Sequence, residues 1–156
     1  MKEELVNSFL TPARLVWEKE LGQPLELASA QVVSNKFTTD DLTAVIGISG
    51  RLEGNVLYGF SAQTTQSIVN VMLGEASADV SSEMGLSAIG EIANVITGNA
   101  ATKLAEMGYR CDISPPVIIE PVGTRLTTIG ESQILVNFTS SIGALSVRIS
   151  LYEKRD

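Results

Sequence analysis

The chain has 156 residues, 44% of them apolar, a net charge of −7, one cysteine and no histidine. That length supports one domain with a core of its own, and the acidic balance opposes nucleic acid, whose phosphates reward a basic face. Without imidazole the usual zinc sites, the Ser-His-Asp triad and the Cys-His pair are excluded, and a lone Cys111 leaves no internal disulfide.

No charged-then-apolar leader opens the chain, and no apolar run approaches the roughly 20 residues of a membrane-spanning helix, so a soluble, cytoplasmic protein without membrane insertion is expected. Neither common phosphate-binding glycine motif is present.

Residues 3–21, "ELVNSFLTPARLVWEKELG", set Leu5, Phe9, Leu10, Val16, Trp17 and Leu21 mainly on one side of a helix stopped at Gly22. Pro12 either kinks this helix or marks its true start. The runs "LELASAQVV", "DLTAVIGIS" and "NVLYGFS" alternate like strands, and the turn-rich "GRLEG" makes the last two a hairpin. "SAQTTQSIVNVMLG" predicts a short amphipathic helix with Ser61 as N-cap and Gly74 as stop. A polar linker, "EASADVSS", leads to a long helix over residues 82–107, then strands near "PVIIEPV", "SQILVNF" and "ALSVRISLY".

The order of elements suggests a duplication. Two halves, about 1–61 and 82–151, are joined by the short helix and the linker within a single domain spanning 1–156. "GNVLYGFS", Gly54 to Ser61, aligns with "GALSVRIS", Gly143 to Ser150, sharing the glycine, three alternating apolar positions and the final serine. An α+β fold follows: a largely antiparallel sheet, internally duplicated and covered by long helices.

At about 100° per residue, Ile89, Ile92, Ile96, Ala100, Leu104 and Met107 gather on one stripe of the long helix, the core face. Ser87, Glu91, Asn94, Gly98 and Ala101 gather opposite, among Ala88 and Gly90. Solvated helix faces usually carry many long charged side chains, whereas glycine in an exposed helix costs about 1 kcal/mol relative to alanine. A flat face bearing one carboxylate and one carboxamide invites the close approach of a partner. The plainer reading, a solvated charge and an indifferent amide with glycines fitted to a neighbouring helix, stays open at this level.

These residues resemble the CheC/CheX/FliY family of chemotaxis phosphatases, whose pattern is Asp or Ser, three residues, Glu, two residues, Asn, and later a proline. Ser87, Glu91 and Asn94 match that spacing, and Pro116 follows slightly nearer than in the family pattern. "VIGISGRLEGNVLYGFS", "LSAIGEIANVITGNAATKL" and "DISPP" extend the resemblance over most of the chain, closer to CheX than to CheC.

The resemblance implies a hydrolase that removes the aspartyl phosphate of a CheY-like response regulator. It implies no cofactor of the enzyme's own, with Mg²⁺ held by the receiver, and a homodimer through sheet edges. Asn94 would orient the attacking water and Glu91 would pair with a receiver lysine. Ser87 would contact the receiver or bond to its own helix, and Gly90, Gly98 and Ala101 would line the docking face. Glu4 and Asn7 repeat the E-x-x-N spacing and form a possible second site, although no residue stands four places before Glu4, and an acidic first turn is also what the helix dipole favours. The alternative is a non-catalytic receiver-binding adaptor or a flagellar-switch-like module on the same fold. Possession of both Glu91 and Asn94, with no motor-assembly domain after Asp156, favours the enzyme.

Overall fold

The computed structural model describes residues 2–74, 83–120 and 123–154. Three helices and seven strands follow in the order α1 (Lys2–Leu21), β1 (Glu26–Thr38), β2 (Leu42–Gly50), β3 (Leu52–Phe60), α2 (Ala62–Leu73), α3 (Glu83–Glu106), β4 (Cys111–Ile113), β5 (Val117–Ile119), β6 (Arg125–Thr139) and β7 (Leu145–Glu153). The polar linker expected between α2 and α3 lies outside the described residues.

The strands form one curled antiparallel sheet in the order β1-β6-β7-β3-β2-β4, with β5 also paired to β2. The hairpins β2–β3 and β6–β7 meet along the central β3–β7 pair, where Val56 faces Ile149. Each outer strand crosses to the other hairpin, β1 to β6 and β4 with β5 to β2. This exchange interlocks the beginning of the chain with its end.

Alternation decides which face is core. Ala44, Ile46 and Ile48 of β2, Val56, Tyr58 and Phe60 of β3, and Leu145, Val147 and Ile149 of β7 are buried in one cluster with the helices. From α1 that cluster takes Leu5, Phe9, Val16, Trp17 and Leu21, with Leu10 packed at its margin. Burial of each such side chain contributes roughly 2 kcal/mol. Pro12 is buried within α1 and does not mark its start, because the helix runs unbroken from Lys2.

Local chemistry sets the boundaries of α2. Ser61 Oγ accepts from Thr64 N at 3.1 Å, Asp41 Oδ2 accepts from Ala62 N at 2.7 Å, and Gly74, left-handed at φ 69°, donates to Asn70 O. Both ends agree with the caps read from the sequence. Strand β4 escaped that reading, as did the part of β6 that precedes "SQILVNF". Neither β4 nor the first residues of β6 alternates strongly, and each is a strand because a neighbour supplies its ladder.

Helix α3 buries a wider face than its isoleucine stripe. Ile89, Ile92, Ile96, Ala100 and Leu104 are in the core as expected, and Ala88, Ala93 and Thr97 join them. Met107 does not: it is 40% exposed and beyond the helix end. The closing turn explains this, since Tyr109 N donates to Leu104 O at 2.8 Å and reverses the chain before Met107 can reach the core.

A buried polar contact ties α3 to the sheet. Thr97 Oγ1 donates to Ala93 O at 2.7 Å and lies 2.7 Å from the Tyr58 hydroxyl. Since threonine has one hydroxyl proton, the phenol donates to Thr97. Burial pushes the Tyr58 phenol above its ordinary range, the Thr97 contact pulling the other way.

Two stability predictions follow from these contacts. Thr97→Val leaves the buried phenol without a partner and is expected to cost about 1–3 kcal/mol. Adding Tyr58→Phe should restore part of that loss; urea midpoints for the single and double variants check it, and a double variant less stable than Thr97→Val would refute the pairing. Gly54, at φ 138°, lies where a Cβ would overlap the Ser150 carbonyl of β7. Gly54→Ala should therefore lose about 2 kcal/mol or more, whereas Gly22→Ala, positive in φ but facing open space, should lose about 1 kcal/mol.

Candidate active site

The rotation of α3 that buries its isoleucines turns Ser87 and Glu91 outward and leaves Asn94 half-buried. Helix α1 packs along one flank of α3, α2 also contacts it, and β4 with β5 lies along the other flank. Between α3 and β5 runs an open groove of about 430 Å³ that holds Ser87, Glu91 and Asn94, with Leu86, Pro116 and Ile118 as its apolar wall. Three and four residues apart on one helix, these polar groups present themselves together.

Among the described residues no side chain hydrogen-bonds to or ion-pairs with Ser87, Glu91 or Asn94. A carboxylate and a carboxamide are thus displayed side by side with their full bonding capacity directed at whatever enters the groove. Such a pair can position a water and a cation. No group of three or more His, Cys, Asp or Glu side chains among the described residues could hold a metal ion.

Gly90 has a different neighbour from the one its sequence position suggests. It is buried, and a Cβ there would lie 3.3 Å from Pro116 Cγ. The missing side chain lets the chain's own proline close against α3 one turn before Asn94, so Pro116 forms the groove wall. Ala88 is likewise buried by its own fold. Gly98, with Ile113 Cδ1 3.9 Å from its Cβ position, and Ala101 are half-buried farther along the helix and do not line the groove.

On α1, Glu4 and Asn7 are exposed, but only Asn7 lines a groove, in company with Glu3. That groove, about 330 Å³, is bounded by Val6, Ala30, Val32 and Ile134. Ser8 Oγ donates to the Glu4 carbonyl, a contact internal to the helix.

Sequence reasoning missed Glu83, Leu86 and Ile118 as groove residues. Glu83 and Leu86 precede Ser87 and Gly90 by one helical turn, which spacing alone could have revealed. Ile118 reaches the site only through the pairing of β5 with β2, a long-range contact with no local signal.

The family model described as chemotaxis phosphatase CheX matches residues 42–139. A Thermotoga maritima protein named CheY-P phosphatase CheX is 31% identical over 130 residues, covering 83% of this chain and 84% of that protein. The solved structure of chemotaxis protein CheX from Vibrio vulnificus is similar at a TM-score of 0.85 and 27% identity, covering 96% of this chain and 99% of that one. A chain of the CheX-CheY-BeF3-Mg²⁺ complex from Borrelia burgdorferi is similar at a TM-score of 0.78 and 22% identity, covering 95% and 97%; that likeness is one of fold alone. With the family model spanning more than half of the sequence and the Thermotoga relative more than two thirds of it, this chain belongs to the CheX family of chemotaxis phosphatases.

Proposed function

We propose that this protein hydrolyses the aspartyl phosphate of a CheY-like response regulator, with Asn94 orienting the attacking water. The observation that carries the reading is the unpartnered Glu91–Asn94 pair on the ridge of α3, in a chain of the CheX family. The relative named a CheY-P phosphatase and the CheX-CheY complex support the choice of substrate.

The chemistry asks little of the enzyme. Water oxygen attacks phosphorus in line, the bond from phosphorus to the acyl oxygen breaks, the receiver's aspartate leaves as carboxylate, and the water proton departs on phosphate. Mg²⁺ arrives with the receiver, as the composition of the Borrelia complex suggests, and neutralises charge on the phosphoryl oxygens. A carboxamide holds a water by donating and accepting without itself ionising.

Glu91 stands one turn from Asn94 and pairs with a receiver lysine, a contact that strengthens as docking excludes water. Ser87, one turn further, contacts the receiver at the margin. Gly90 acts indirectly, by admitting Pro116. Gly98 and Ala101 extend the docking face beyond the groove.

The reading includes a homodimer through a sheet edge and a cytoplasmic location. Strand β1 pairs only with β6 among the described residues, so one side of its 13-residue ladder is free, and an unpaired edge is a template for a second chain. No helix among the described residues is long and apolar enough to cross a membrane.

The decay of a phosphorylated CheY-like receiver tests the activity. Wild-type protein should accelerate it, Asn94→Ala should lose about 100-fold or more, equivalent to ~3 kcal/mol, and Glu4→Ala/Asn7→Ala should keep the wild-type rate. Binding without acceleration, across the receivers of the same genome, would overturn the enzyme and leave an adaptor. Light scattering after size exclusion is expected to give the mass of two chains, and a monomer at micromolar concentration would remove the dimer.

A further inference from the structure

The ridge that carries Glu91 has a second side. Opposite the Asn94 groove, α3 and the C-terminal end of α2 enclose another open groove, of about 490 Å³, whose apolar lining is Met72, Leu73, Met84 and Ala88. Glu83, Ser87 and Glu91 line both grooves, whereas Asn94 lines only the one beside β5. Met84 is 64% exposed, a large apolar side chain left in water beside the candidate site.

The size of a docked domain makes the two grooves one surface. A specific protein partner covers roughly 800 Å² of each surface, a patch about 30 Å across, while a helix with its side chains is only about 10 Å wide. A receiver centred on Glu91 and Asn94 therefore overhangs α3 on both sides. Methionine suits such a contact because its unbranched, polarizable side chain adapts to the shape laid against it. The carboxylates of Glu83 and Glu91 on the shared ridge favour a partner with cationic groups between its apolar elements.

We propose that the receiver straddles α3, its phosphoryl pocket over the Asn94 groove and an apolar element of its surface seated among Met72, Leu73 and Met84, where affinity and the choice of receiver are set. This rests on the proposed function for the identity of the partner. The division of labour is specific: one side of the ridge does chemistry, and the other side only binds. Apolar burial there is equal in ground and transition states, so its loss appears in KM and leaves kcat unchanged.

The test is a titration of a beryllofluoride-activated CheY-like receiver into the intact protein, with steady-state hydrolysis measured in parallel. Met84→Ser and Leu73→Ser should each weaken binding and raise KM about tenfold while kcat stays within about twofold of wild type. Ile129→Ser, an exposed apolar change on β6, should alter neither. Far-ultraviolet circular dichroism confirms that the Leu73 variant is folded, and the exposed Met84 position carries the test by itself if it is not. Wild-type affinity in Met84→Ser, or a kcat lost in step with binding, would overturn the straddling receiver. Tight binding by wild type that is weakened by Met84→Ser, with no hydrolysis, would instead uphold the docking surface and overturn the phosphatase.

Discussion

The contact on which the rest depends is the packing of α3 onto the core face of the sheet. Ile89, Ile92 and Ile96 are essentially inaccessible, and together they contribute roughly 6 kcal/mol of apolar burial. Turning α3 about its axis would expose them, so its rotation is held. With the rotation held, 100° per residue puts Ser87 and Glu91 in solvent and Asn94 at a groove's edge. The site is a by-product of burial on the opposite face.

Placement along the helix axis needs a second constraint, since apolar contacts are non-directional. The hydrogen-bond chain from Tyr58 through Thr97 to the Ala93 carbonyl supplies it, ending one residue before Asn94. On the flank, Pro116 against Gly90 brings β5 to the distance at which Leu86, Pro116 and Ile118 form a wall. A larger residue at position 90 would push that wall outward without touching either polar group. Groove geometry and site chemistry are thus carried by different residues.

Such a site suits a substrate that brings most of its own catalytic apparatus. An open groove lined by the carboxylates of Glu83 and Glu91, the Ser87 hydroxyl and the Asn94 carboxamide has no cationic side chain in its lining to take up phosphoryl charge. It can still place a water and a cation against a phosphoryl group already polarised by metal. The exposed ridge between the two grooves is a projection rather than a pocket.

Much of this was legible in the sequence, for local reasons. The isoleucine stripe, the Ser61 and Gly74 caps, the β2–β3 hairpin and the Ser87–Glu91–Asn94 spacing are governed by helical period, capping chemistry and strand alternation, all short-range. What the tertiary structure decided is long-range. It alone brought Ile118 and Pro116 to α3, exchanged the outer strands between hairpins, buried Gly90 and Ala88 on a face that seemed outward, and turned Met107 away from the core. A period of 3.6 residues states which side chains share a face; it carries no information about how many other elements that face will meet.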